Sequence, residues 1–110
     1  LMVSQKVAEA GIPTETPEDR RASIALLYQL LQDLEATGAG KTVLAARLGR
    51  ELGNLLRWEG RWAESRRELE RALSVLKALE NEEAEQAHTL YALGLTLYYL
   101  DEPHQGAGIV

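Results

Sequence analysis

The chain has 110 residues, enough for one domain with a modest core; 45% are apolar, 26% are charged, and the formal charge is −5. The acidic balance argues against general nucleic-acid binding, and the lack of cysteine removes disulfides, thiolate metal sites and cysteine nucleophiles. No apolar run approaches the roughly 20 residues of a membrane span, and the opening Leu1–Lys6 lacks the apolar core of a signal peptide, so the expected location is cytoplasmic.

Residues 1–16 read as an N-terminal arm broken by Gly11 and Pro13. Thr16-Pro17-Glu18-Asp19 is a helix start. Thr16 suits the cap, Pro17 the first turn, and two acids face the positive end of the helix dipole. The first helix is predicted from about 17 to 36, with Ile24, Leu27, Tyr28, Leu31 and Leu34 on one side, and Gly38-Ala39-Gly40 ends it. A second helix is predicted from about 41 to 58, with Leu44, Leu48, Leu52, Leu55 and Leu56 on one broad face, closed by Gly60. A third, from about 61 to 79, carries the stripe Trp62, Ser65, Leu69, Ala72, Leu73, Leu76 and Leu79. Its charged positions, Glu64, Arg66, Arg67, Glu68, Glu70, Arg71 and Lys77, read as a solvated face. Asn81 is the expected cap of a fourth helix running to about 100, stopped by Asp101-Glu102-Pro103. Residues 106–110 read as a tail. No strand pattern appears, so the chain is expected to be all-α.

One stretch recurs. Leu52-Gly53 is followed by Leu56, and Leu93-Gly94 is followed by Leu97, with the two glycines 41 positions apart. A fixed period of this size marks a stacked helical repeat, in which each unit buries its apolar face on its neighbour. After Leu52-Gly53 and Leu56 come Gly60, Trp62, Ser65, Leu69 and Ala72-Leu73, in that order. This series resembles the tetratricopeptide repeat. The second copy keeps only Leu93-Gly94 and Leu97, with Asp101 and Pro103 where the family has Gly and an aromatic residue. The period of 41 exceeds the family's usual 34 and is similar to longer-helix variants found in bacterial regulators and kinesin light chains. The resemblance spans about residues 20–105, placed here as a repeat domain over 17–105. It implies a right-handed stack of about four helices and a protein-binding scaffold with no catalytic role and no cofactor.

Two motifs suggest chemistry. Gly38-Ala39-Gly40-Lys41-Thr42 looks like the end of a phosphate-binding loop, which leaves a nucleotide-binding regulator as an alternative. The pattern, however, needs Gly where Glu35 stands and a buried strand before it. His88 and His104 are the only histidines, and neither has a second ligand at metal-binding spacing. No catalytic constellation and no metal site is expected.

The expected work of the chain is to bind protein. On the second helix Arg47, Arg50, Asn54 and Arg57 form a polar stripe with Trp58 at its edge. By resemblance these positions line the concave groove, with Arg50 and Asn54 where some relatives hold a partner's C-terminal carboxylate. On the fourth helix the matching positions are His88, Tyr91, Leu95 and Tyr98. The expected groove is therefore basic at one end and aromatic at the other, suited to an acidic or C-terminal peptide. The alternative is a solvated basic face with Arg47 paired to Glu51. The fourth helix is apolar nearly all round, with only Glu85, Thr89 and Thr96 as a polar strip. Leu90, Leu93, Leu97, Tyr99 and Leu100 are thus candidate interface residues, for a homodimer or for a larger repeat array.

Overall fold

The computed structural model describes residues 16–101, so the expectations for the N-terminal arm, Pro103, His104 and the tail lie outside the described residues. Four helices run in chain order: α1 (Pro17–Ala36), α2 (Val43–Trp58), α3 (Trp62–Lys77) and α4 (Glu83–Asp101). No strand occurs among the described residues.

Local chemistry sets the boundaries. The Thr16 hydroxyl accepts from the Asp19 amide at 3.0 Å, with Pro17 in the first turn. The first helix ends when Gly38 takes φ +86° and the Ala39 amide reaches back to the Leu34 carbonyl at 2.8 Å. Thr42 caps α2 through the Ala45 amide, and Gly60 (φ +77°) closes it with the same device, Arg61 amide to Leu56 carbonyl at 2.8 Å. Asn81 is not the cap expected of it. It sits in the left-handed region at φ 62°, making the turn between α3 and α4, and the first helical bond of α4 runs from the Gln86 amide to the Glu82 carbonyl.

Each helix packs on the next in the chain, and α2 also touches α4. Ile24 and Leu27 of α1 meet Leu52, Leu55 and Leu56 of α2, with Tyr28, Leu31 and Leu48 around them. Ala46 of α2 meets Ala72 and Leu76 of α3, and Leu69 and Leu73 of α3 meet Ala92 and Leu93 of α4. The contact between α2 and α3 is close because Gly53 faces Leu69. A Cβ on Gly53 would lie 2.6 Å from Leu69 Cγ, whereas one on Gly49 would meet Ala72 at 3.4 Å. The Ser65 hydroxyl donates into this crossing at 2.7 Å to the Gly53 carbonyl and lies 2.9 Å from the Thr96 hydroxyl, so three helices share one buried polar contact.

Several expected faces are corrected. Leu44 is 55% exposed, because α1 packs too far toward the C-terminal half of α2 to reach it. Glu68, read as solvated, is buried, with its carboxylate held by Arg71 at 3.0 Å. Thr89 and Thr96 turn inward and are fully buried, while Leu90 and Tyr91 turn outward. The inversion holds because every inward polar group has a partner. Thr89 donates to the Glu85 carbonyl one turn back, and Thr96 meets Ser65.

The 41-residue period is visible in three dimensions. Leu48, Leu52 and Leu55 of α2 face the preceding helix, and their counterparts Thr89, Leu93 and Thr96 of α4 do the same. Gly49 and Gly53 of α2 face the following helix. Their counterparts on α4 are Leu90, half exposed, and Gly94, around which a Cβ would meet nothing within 4 Å among the described residues.

Candidate functional site

The stripe expected on α2 forms and lies beside α4, but its basic end is closed from within. Arg50 donates to Glu85 at 2.6 Å and Arg47 at 2.8–2.9 Å, so one carboxylate on α4 engages both guanidinium groups. These hydrogen bonds hold the Glu85 carboxyl at about 2 instead of 4.5. Arg47 therefore pairs across the helix contact, and the expected pairing with Glu51 is not what the geometry provides. Asn54 is engaged too, accepting from Arg57 at 2.8 Å.

The other end of the face is aromatic. The Arg57 guanidinium lies 5.9 Å from the Trp58 ring centroid, within cation–π range, and burial lowers its pKa from the usual arginine value. Trp58 is 55% and Tyr91 72% exposed. Tyr98, also exposed, meets Tyr99 edge-on at 5.5 Å, and Tyr99 stacks on Trp62 at 5.6 Å. His88 is exposed and Leu95 half-buried. Of the groove residues expected from sequence, Arg47, Arg50 and Asn54 are thus already engaged, and Trp58 and Tyr91 stand exposed.

The interface candidates separate. Leu93 is buried against Leu69 and Leu73, so it belongs to the core. Leu97 packs on that cluster and is half-buried, as is Leu100, and Tyr99 is held by Trp62. Leu90 stands out at 50% exposure, on the same outward face as Gly94 and Tyr91.

A concavity of about 930 Å³ opens between α1 and α3 over the small residues Ala45, Ala46 and Gly49. Lys41 and Gly40 border it, which places the phosphate-loop look-alike at its rim. That loop follows helix α1, the Glu35 carboxylate folds over Gly40, and the Thr42 hydroxyl is used at the α2 cap. Burial raises the Glu68 carboxyl at the same wall, and Tyr28 spans the gap by donating to Glu64 at 3.2 Å. No cluster of three metal-ligating side chains occurs among the described residues.

Glu85 is the participant that sequence reasoning missed as a site residue. Its partners lie 35 and 38 positions upstream, with no local spacing to announce them. The repeat itself holds the only signal, since Glu85 falls 41 positions after the exposed Leu44, at the same register on its helix.

With the Gly53–Leu69 crossing, the Ser65 contact and the serial packing in place, comparison with known families is decisive. A tetratricopeptide repeat family model matches residues 42–105. The chain belongs to the tetratricopeptide repeat family. Searches of curated proteins and of solved structures found no match. The match begins at the α2 cap and takes in α2, α3 and α4, so in this tetratricopeptide repeat protein α1 is the helix that precedes the matched unit. The family assignment supports a protein–protein interaction module. No helix among the described residues is long and apolar enough to cross a membrane.

Proposed function

We propose that this tetratricopeptide repeat protein is a non-enzymatic interaction module that self-associates through α4. The observation that carries the reading is the inversion of that helix. Its threonines are buried while Leu90, Tyr91 and Tyr98 stand 50–72% exposed. Large apolar groups held in water in one contiguous strip mark an interface. A folded state that self-associates gains stability by mass action, so its unfolding midpoint rises with chain concentration. The expected result is a midpoint that climbs over a hundredfold range of concentration; a constant midpoint contradicts the reading.

A second reading is favoured by the exposed Trp58 and Tyr91 beside Arg57: the α2–α4 face binds an acidic or C-terminal peptide. In this reading Glu85 acts as a built-in competitor, because a peptide carboxylate must displace it from Arg47 and Arg50. Glu85→Gln is then expected to tighten binding of an acidic C-terminal peptide in calorimetric titration, and Arg50→Ala to weaken it. Equal affinities in all three proteins contradict it.

A further inference from the structure

We propose that the cleft between α1 and α3 is a second binding site, which takes a short extended segment of a partner protein with small aliphatic side chains at alternate positions and acidic ones between them. Every residue around this cleft lies between Tyr28 and Leu79, so it shares nothing with α4 or with the stripe from Arg47 to Trp58.

The bed has the dimensions of such a segment. Its floor carries the smallest side chains of α2, Ala45, Ala46 and Gly49, so another backbone approaches closely. Gly49 follows the two alanines by one helical turn, about 5 Å, near the roughly 6.6 Å between neighbouring side chains on one side of a strand. The walls are the face of α1 from Tyr28 to Glu35 and the face of α3 from Glu68 to Val75. Each wall runs about 10 Å along its helix, a distance that an extended chain covers in about three residue steps. One end is shut, where Tyr28 donates to Glu64 at 3.2 Å and Arg61 grips the same carboxylate.

Glu68 sets the form of the occupant. It is only 3% exposed. One carboxylate oxygen accepts from Arg71 at 3.0 Å, and the other has no donor among the described residues. Burial, and after it the Glu68 charge, raises the Tyr28 phenol on the opposite wall, which places the carboxylate toward the cleft. A buried oxygen in this state costs free energy that an incoming donor recovers. An extended main chain turns N–H and C=O groups toward both walls, so its N–H serves Glu68 while Arg67 on α3 and Gln32 on α1 are donors for its carbonyls. A helix has most of its N–H groups bonded internally and offers side chains only.

The edges set its charge. Lys41, Arg67 and Arg71 outnumber Glu35 and Glu68 around the cleft, a local reversal on a chain of net charge −5. Lys41 and Arg67 are exposed and make no ion pair among the described residues. Acidic side chains pointing out of the cleft complement them, and basic ones do not.

The test titrates acetyl-Val-Glu-Ala-Glu-amide into the isotope-labelled chain and follows backbone amide shifts. Saturable shifts are expected at Ala45, Ala46, Gly49 and Ala72, with a Kd below about 1 mM. The same peptide methylated at every main-chain nitrogen, or with lysines for its glutamates, is expected to bind about tenfold more weakly. Glu68→Gln keeps a carbonyl for Arg71 but turns an amide donor toward the peptide N–H. It is expected to weaken binding by about tenfold without lowering the melting temperature, because a buried charge is removed. Ala45→Leu fills the floor and is expected to abolish binding, with its helical circular dichroism retained; Lys77→Ala, outside the cleft, is expected to change nothing. Three results overturn the proposal. Absence of saturable shifts up to millimolar peptide removes the site. Shifts confined to Trp58 and Tyr91 move the peptide to the α2–α4 face and leave the second reading above standing. Equal affinity for the methylated peptide, or for Glu68→Gln, shows that Glu68 takes no main-chain donor.

Discussion

Ser65 concentrates more of the fold than any other polar residue. Its hydroxyl serves the Gly53 carbonyl and Thr96 at zero exposure, so Ser65→Ala takes the side-chain partner from the buried Thr96 hydroxyl and a second hydrogen bond from a helical carbonyl. The expected loss is about 1–3 kcal/mol by chemical denaturation. Gly53→Ala is expected to be destabilising despite alanine's better helix propensity, because its Cβ runs into Leu69 and overpacking costs about 1–3 kcal/mol. Two carboxylates set opposite pH trends. Glu85 titrates in the fold at about 2, below its ordinary 4.5. Its contribution is therefore complete above about pH 4.5 and is lost as pH falls toward 2. Burial raises Glu68, so its contribution is present when it is protonated and is lost as pH rises through the raised value. Glu85→Gln is expected to flatten the acid limb of the stability curve. At pH 7 it is expected to cost about 1 kcal/mol, less than the shift alone implies because Arg47 is half exposed and solvent screens the pair. An unchanged acid limb contradicts the assignment.

Among the elements, α1, α2 and α3 follow their patterns apart from Leu44 and Glu68, and α4 does not. The Thr16 cap, the glycine stops and the Ser65–Leu69–Ala72 stripe were legible because each depends on neighbours within a turn or on one helical period. The inward face of α4 was not. Nearly the whole helix is apolar, so periodicity has nothing to select, and the choice falls to Thr96 finding Ser65 and to Glu85 finding two arginines from another helix. Leu44 shows the same limit in α2. It shares the leucine face by angle, yet lies beyond the end of the helix that covers that face. Leu44→Lys is accordingly expected to stay within about 0.5 kcal/mol of the natural chain, while Leu55→Ala costs about 2–5 kcal/mol. Arg50 belongs to the stripe expected to bind a partner, and it also ties α2 to α4. Because it holds Glu85 at 2.6 Å, Arg50→Ala is expected to lower the melting temperature by several degrees, read by thermal unfolding, with about 1 kcal/mol lost.

For the whole molecule, the stack of helices follows from one rule applied twice, 41 residues apart. A leucine–glycine helix packs backward on the helix before it and offers its glycine face to the helix after it. In α2 both faces are filled. In α4, among the described residues, only the backward face is, with Leu90, Tyr91 and Gly94 exposed. The candidate groove could be named residue by residue from the repeat register, but its occupation by Glu85 could not, since a register says which side chains share a face and not which of them already hold one another. The central claim is that α4 is completed by a second copy. Its most direct test is the absolute mass in solution, by light scattering coupled to size exclusion, across a tenfold range of concentration. The account predicts the mass of two chains, falling toward one only on dilution. The mass of a single chain, about 12.2 kDa at every concentration, contradicts it.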